Sequence, residues 1–201
     1  MPIKNMLIDL GGVLYEIDIA STLVKYNQMR NSGADPIDYG KHGQHHLFTL
    51  LDNGEAEIDD FALGLKQTFS LTGNLEEIKK VWADLLIGLY PGRTDAVEKL
   101  SKKYGLALLS NTNRYHYDIY FPECSPMFAH MDRLFLSFEM GVRKPDPQIY
   151  LQALEEMGWK PEETLFLDDS HPNIEAAEAL GIQTFWIETP HTFDEVMRIY
   201  G

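Results

Sequence analysis

Apolar residues dominate the opening run, with Ile3, Met6, Leu7 and Ile8 leading directly into Asp9-Leu10-Gly11-Gly12. A short apolar run that ends in a glycine pair predicts a buried strand delivering one carboxylate into a turn. From about Ile19 to Leu89 the spacing becomes helical. Leu23 and Tyr26 belong to one predicted helix, His46, Leu47, Leu50 and Leu51 to a second, Phe61, Leu65 and Phe69 to a third, and Ile78, Val81, Trp82 and Leu85 to a fourth. Asn53-Gly54 and Gly73-Asn74 punctuate this segment, which contains no expected strand, and Pro91-Gly92 marks the return. Beyond Arg93, short apolar runs alternate with helical spacing. Strands are expected over 106–109, 134–136, 164–167 and 183–187, with helices through Ala96 to Tyr104, Ile149 to Met157 and Ile174 to Leu180. Such alternation is the signature of an α/β fold with a parallel sheet.

The polar residues at the ends of these apolar runs are the candidate chemistry. Asp9 follows the first strand, Ser110-Asn111 follow the second, and Asp168-Asp169 follow a later one, while Arg143-Lys144-Pro145 lies in a loop. In open α/β sheets ligands bind beyond the carboxyl ends of strands, so these segments are expected to converge. Taken alone, Asp9 is a turn former or a nucleophile, Asp168-Asp169 an N-terminal helix cap or a metal site, and Lys144 a solvated surface charge or a cation fixed by the following Pro145. Together they supply hydroxyl and amide donors, a cation and hard oxygen ligands, the set that a transferring phosphoryl group needs.

Charge narrows the partners. The 201 residues contain 17 Lys and Arg against 31 Asp and Glu, a formal net charge of -14. An acidic surface argues against nucleic-acid and anionic-membrane binding, since both require a basic face. A hydrophobic content of 44% supports a packed core. Cys124 is the single cysteine, which excludes an intrachain disulfide and fits a reducing cytoplasm. It lies between Pro122 and Pro126 and reads as a loop or packing residue. The N-terminal run lacks the pattern of a signal peptide, and no stretch approaches membrane-spanning length. The expectation is a cytoplasmic protein, monomer or homodimer, acting on a small phosphorylated metabolite.

The ordered set Asp9, Ser110-Asn111, Lys144 and Asp168-Asp169 resembles the haloacid dehalogenase-like hydrolase superfamily across essentially the whole chain. Within it, Asp9-Leu10-Gly11 with Asp18, Ser110-Asn111-Thr112-Asn113-Arg114 with His116, and Gly141-Val142-Arg143-Lys144-Pro145 look like the bacterial α-D-glucose-1-phosphate phosphatase branch. The resemblance implies a Rossmann-like core made of residues 1–15 and 91–201, with an inserted all-helical cap at 16–90. It implies Mg²⁺-dependent phosphomonoester hydrolysis with Asp9 as nucleophile and metal ligand. Ser110 and Asn111 would bind phosphate, Lys144 would orient nucleophile and phosphate, and Asp169 would hold the metal. Asp168 would hold metal waters or Lys144, and Gly11 would offer its backbone carbonyl to Mg²⁺.

The chain departs from that pattern at Gly11, where most phosphatases of the superfamily carry an acid/base aspartate. Glycine transfers no proton, and Asp18 and His116 are the polar candidates to replace it. Two rival readings stay open: a 2-haloacid dehalogenase, which needs no metal, and a catalytically impaired phosphate-binding or regulatory protein. His42, His45 and His46 form a cluster without an accompanying base motif and read as solvated or cap-facing. Arg114 reads as a substrate contact or as the partner of a nearby acid.

Overall fold

A computed structural model of the chain describes residues 1–31, 37 and 45–201. Seven strands appear among the described residues: β1 (Asn5–Ile8), β2 (Tyr15–Ile17), β3 (Leu86–Leu89), β4 (Gly105–Ser110), β5 (Arg133–Leu136), β6 (Thr164–Asp168) and β7 (Gln183–Trp186). Their helices are α1 (Ile19–Gln28), α2 (His46–Asp52), α3 (Ile58–Thr68), α4 (Leu75–Ala83), α5 (Arg93–Ser101), α6 (Arg114–Phe128), α7 (Ser137–Met140), α8 (Pro147–Met157), α9 (His171–Ala179) and α10 (Phe193–Tyr200). Five strands form a parallel sheet in the order β5-β4-β1-β6-β7, with β1 central.

Alternation along these strands builds the core. Met6 and Ile8 of β1, Leu106 and Leu108 of β4, and Leu165 and Leu167 of β6 face one side, where they pack with residues of α5, α6 and α10. Leu7, Ala107, Leu109 and Phe166 face the other side, against Ile149, Ala153 and Leu154 of α8 and Ile174 and Ala177 of α9. Both faces are buried, so the strands read as continuous apolar runs rather than alternating ones. A third cluster gathers Tyr26, Phe48, Leu51, Phe61, Leu65, Ile78 and Trp82 from α1 to α4. The helices of this segment start where the local chemistry allows. Asp18 caps α1 by accepting the Ser21 N–H at 2.9 Å, and Asn74 with Glu77 forms a reciprocal capping box on α4.

One expectation fails, and one open reading is decided. The 16–90 segment is not all helical, because β3 pairs antiparallel with β2 at Tyr15↔Leu89 and Glu16↔Gly88. Leu85, Leu86 and Leu89 look like the end of a helix, yet a four-residue strand is too short for periodicity to separate the two. Of the two readings of Cys124, the packing one holds: it is buried within α6, in the core, and not in a loop. Pro126 removes the N–H that would meet the Pro122 carbonyl, and the Ser125 hydroxyl donates to that carbonyl instead at 3.2 Å. Among the described residues, no helix is long and apolar enough to cross a membrane.

Candidate active site

Neighbouring strands bring the predicted residues to one edge. Asp9 directly follows β1, and its N–H continues the ladder by donating to the Leu167 carbonyl at 2.9 Å. Ser110 ends β4 on one side of β1, and Asp168 ends β6 on the other. This is the place where connections leave the sheet in opposite directions, the usual ligand crevice of such folds.

Lys144 is the centre of the arrangement. Its ammonium donates at 2.7 Å to Asp9 Oδ1, to Asp168 Oδ2 and to the Leu109 carbonyl. An ammonium has three N–H groups, and here each has an acceptor. Only 1% of the residue is exposed, so the surface-charge reading of Lys144 does not apply. Burial disfavours its charged form, but Asp168 and Asp9 prevail and raise its pKa.

The two acidic partners differ. Asp168 is fully buried, and its oxygens also accept from the Ser170 N–H at 2.8 Å and from the Asn173 amide at 3.0 and 3.2 Å. These bonds, with the one from Lys144, hold the Asp168 carboxylate in place. Asp9 is pushed up to about 7, chiefly by burial and further by Asp168 and Asp169, against the opposing pull of Lys144. Asp169 is exposed, and its side chain lies beside Gly12, where an added Cβ would stand 2.6 Å from Asp169 Oδ2. Gly12 has φ +78°, so both the turn and this close approach call for glycine.

One carboxylate oxygen from each of Asp9, Asp168 and Asp169 lies within 4.8 Å of the others. Hard oxygens at this spacing, with one buried cation among three acids, fit a divalent cation such as Mg²⁺. Trp186 Nε1 donates to the Asp169 carbonyl at 2.9 Å and so fixes the backbone at the rim of the cluster.

Asn111 does something the sequence does not announce. Its side-chain oxygen accepts the Lys144 N–H at 2.8 Å, and its amide donates to the Lys144 carbonyl at 2.9 Å. The carboxamide is thereby a brace for Lys144. Ser110 is buried and lines a cavity together with Leu10, Gly11, Asn111, Thr112 and Asn113. The cavity borders residues that follow Asp9, and its lining also includes Asp52, Trp82 and His116.

His116 and Asp18, the candidates for a replacement acid, are occupied elsewhere. His116 Nε2 lies 2.9 Å from the Trp82 carbonyl, which fixes the proton on that nitrogen and leaves Nδ1 as an acceptor. Burial holds its pKa down to about 4, so the ring is neutral near pH 7. Asp18 is the N-cap of α1, and its hydrogen bond to Ser21 holds its carboxyl below the usual range. Arg114 pairs with Asp118 at 3.0 Å on the surface. His45 caps α2 by accepting the Leu47 N–H at 3.3 Å, while His42 lies outside the described residues.

Sequence patterning did not single out Asp52 or Ser137. Ser137 Oγ accepts the Thr112 N–H at 2.9 Å and lies 2.6 Å from the Asp52 carbonyl. The Asp52 carboxylate is 3.4 Å from the Asn113 amide and 3.6 Å from Arg143 Nε. A signal existed: Asp52 is an acid at a helix C-terminus, where the dipole disfavours negative charge.

Known proteins share this arrangement of elements. The chain is 31% identical over 191 residues to a D-ribitol-5-phosphate phosphatase from Bacteroides thetaiotaomicron, covering 91% of each sequence. A haloacid dehalogenase family enzyme from the same organism, solved with magnesium and inorganic phosphate, superposes with a TM-score of 0.76 at 30% identity, covering 92% of this chain and 93% of that one. A HAD-like hydrolase from Porphyromonas gingivalis superposes at 0.82 with 26% identity, covering 99% of this chain and 98% of that one. The haloacid dehalogenase-like hydrolase family itself matches residues 3–181, which include Asp9, Ser110, Asn111, Lys144, Asp168 and Asp169, and the chain belongs to that family.

Proposed function

We propose that the chain is a Mg²⁺-dependent phosphatase of a small sugar or polyol phosphate, working through an aspartyl phosphate at Asp9. The observation that carries this reading is the three-way grip of Lys144 on Asp9, Asp168 and the Leu109 carbonyl, set beside the Asp169 carboxylate. Asp9 and Asp169 carboxylates, with the Gly11 carbonyl and support from Asp168, would hold the cation. When bound, Mg²⁺ would offset the charge of the clustered acids and of the phosphoryl oxygens.

The chain's own residues account for the rest. An Asp9 oxygen attacks phosphorus, the bond from phosphorus to the ester oxygen breaks, and the departing alkoxide takes a proton from a water molecule. Lys144 keeps the other Asp9 oxygen fixed, which holds the attacking one in line. The Ser110 hydroxyl and the Asn111 N–H meet the phosphoryl oxygens, and Lys144 adds the positive field. Water then attacks the phosphorus of the aspartyl phosphate, releasing phosphate and regenerating Asp9. The segment at 16–90 would act as a cap, excluding bulk water and shaping the space for the leaving group. Relatives acting on a ribitol phosphate and on phosphorylated carbohydrates support the substrate class, within which glucose 1-phosphate is one candidate.

Asp9→Asn tests the reading. Turnover of a panel of sugar and polyol phosphates should fall to background while the variant keeps its fold and melting temperature within a few degrees. Parental rates in that variant would overturn the proposal. So would chelator-insensitive release of halide from a 2-haloacid.

A further inference from the structure

The cavity beside the phosphate-binding loop has largely apolar walls, including Ile17, Ile19, Leu85 and Leu86. Among the described residues that line it, the titratable ones are Tyr15, Asp52, His116 and Tyr120. His116 is committed to the Trp82 carbonyl and Tyr120 to the Thr112 hydroxyl, 3.4 Å away. Tyr15 interacts with Glu123. Asp52 is the one carboxylate in the wall, and only 4% of the residue is exposed.

Its placement is fixed from several sides. Ser137 meets its carbonyl, Asn113 and Arg143 flank its carboxylate, and the following turn presses on α7 so closely that a Cβ at Gly54 would collide with the Phe138 carbonyl. Gly54 has φ +71°, a second reason for glycine there. A carboxylate at a helix C-terminus is unfavourable by the dipole and by burial, a cost that Arg143 and Asn113 offset in part. Such a group is retained where its acceptor oxygens serve a purpose, and a rigidly held acceptor in a site wall is how hydroxyl groups are recognised.

We infer that Asp52 is a specificity-determining residue that accepts hydrogen bonds from hydroxyl groups of the leaving group, selecting hydroxylated, otherwise uncharged phosphomonoesters. This rests on the phosphatase reading above. A carboxylate accepts but does not donate, so it favours a polyol or sugar over an alkyl chain. It also disfavours a second carboxylate on the substrate by like-charge repulsion.

The test compares kcat/KM for ribitol 5-phosphate with that for pentyl phosphate, which has the same chain length and no hydroxyls, in the parent and in Asp52→Asn. Hydrogen bonds to a charged group imply that the parental preference for the polyol ester drops by roughly ten- to a hundredfold in the variant. Discrimination against a phosphate ester bearing a carboxylate should weaken in parallel. An unchanged ratio, whether both rates fall together or neither moves, overturns the inference and leaves Asp52 as a packing and positioning group. Should Asp52→Asn fail to fold, Asp52→Glu keeps the charge and displaces the oxygens, and an unchanged ratio there overturns the inference equally. A parent inactive on every ester overturns the phosphatase reading and this inference together, whereas an active parent with an unmoved ratio overturns the inference alone.

Discussion

Asn111 clasps the main chain of Lys144 at both of its polar atoms, accepting the N–H at 2.8 Å and donating to the carbonyl at 2.9 Å. Replacing it with alanine removes both bonds and leaves the loop that carries Lys144 without its brace. Each buried polar group left unpaired costs about 1–3 kcal/mol, so Asn111→Ala should unfold at clearly lower urea concentration. Asn111→Asp should do worse, because its second oxygen would face the Lys144 carbonyl. Denaturant melts with kcat for the same samples check both, and melting profiles equal to the parent's would show that the brace is dispensable.

Lys144 itself is the next target. Methionine fills similar volume but leaves Asp9 and Asp168 as buried acids without their shared cation. Removing one partner of a buried ion pair costs about 3–5 kcal/mol. Asp9, already pushed up to about 7, escapes by taking up a proton, so the deficit should be greatest near pH 8 and shrink toward pH 5. Lys144→Arg should not rescue activity, since a planar guanidinium does not direct three N–H groups to the three acceptors of an ammonium. Urea titrations at the two pH values check the first claim, and a deficit independent of pH would contradict it.

Much of this site is legible in the sequence because strand ends are. Asp9, Ser110 and Asp168 each close a run of apolar residues, and a parallel sheet aligns such ends without further information. Lys144 is harder, since a loop lysine gives no sign of burial, and only its company with the other residues marks it. Asn111 shows the limit of reading by residue type: an amide next to Ser110 looks like a phosphate donor, and only the path of the 137–145 segment turns it toward Lys144. Asp52 and Ser137 meet across 85 residues of chain, and no local pattern encodes that meeting. The proline pair in α6 hides a helix for a similar reason, because the hydroxyl that meets the freed carbonyl belongs to an ordinary serine.

His116 gives a pH signature. Its pKa falls from 6.5 to about 4 on burial, so between those values the unfolded chain takes up a proton that the folded chain refuses. The neutral, buried form therefore costs nothing above pH 6.5, and stability is lost as pH falls toward 4. A shift of this size corresponds to roughly 3 kcal/mol at the acid end. His116→Gln keeps a donor for the Trp82 carbonyl without titrating, so its stability should fall less than the parent's between pH 7 and 4.5. All other titrating groups are shared, and equal losses in the two proteins would assign the acid sensitivity elsewhere.

Trp186 anchors the rim of the acidic cluster through its bond to the Asp169 carbonyl. Trp186→Phe keeps an aromatic ring against His171 and deletes that bond. Partners of metal ligands typically influence affinity by tenfold or more, so half-maximal activity should require roughly ten times more Mg²⁺. The rise in melting temperature on adding Mg²⁺ should shrink correspondingly, a readout independent of turnover. Identical Mg²⁺ titration curves for parent and variant would show that Asp169 needs no such anchor.

Gly11 is the site's chemical gap, and the structure shows what stands in front of it. A Cβ built on Gly11 would lie 3.0 Å from Ile17 Cδ1, so an aspartate there would project toward an apolar side chain. The backbone is no obstacle, since φ of Gly11 lies outside the left-handed range. Crowding comes from the tip of one flexible residue, and Ile17→Val deletes that methyl. Gly11→Asp alone should therefore fold with a modest penalty, and Gly11→Asp with Ile17→Val should recover most of it. A well-placed acid/base is worth roughly a hundred- to ten-thousand-fold, so the double variant should hydrolyse alkyl phosphates at least about tenfold faster than the parent. An aryl ester, whose leaving group needs little protonation, should gain much less. If alkyl and aryl esters respond alike while the fold is intact, the carboxylate does not reach the ester oxygen, and departure of the alcohol is not what limits this active site.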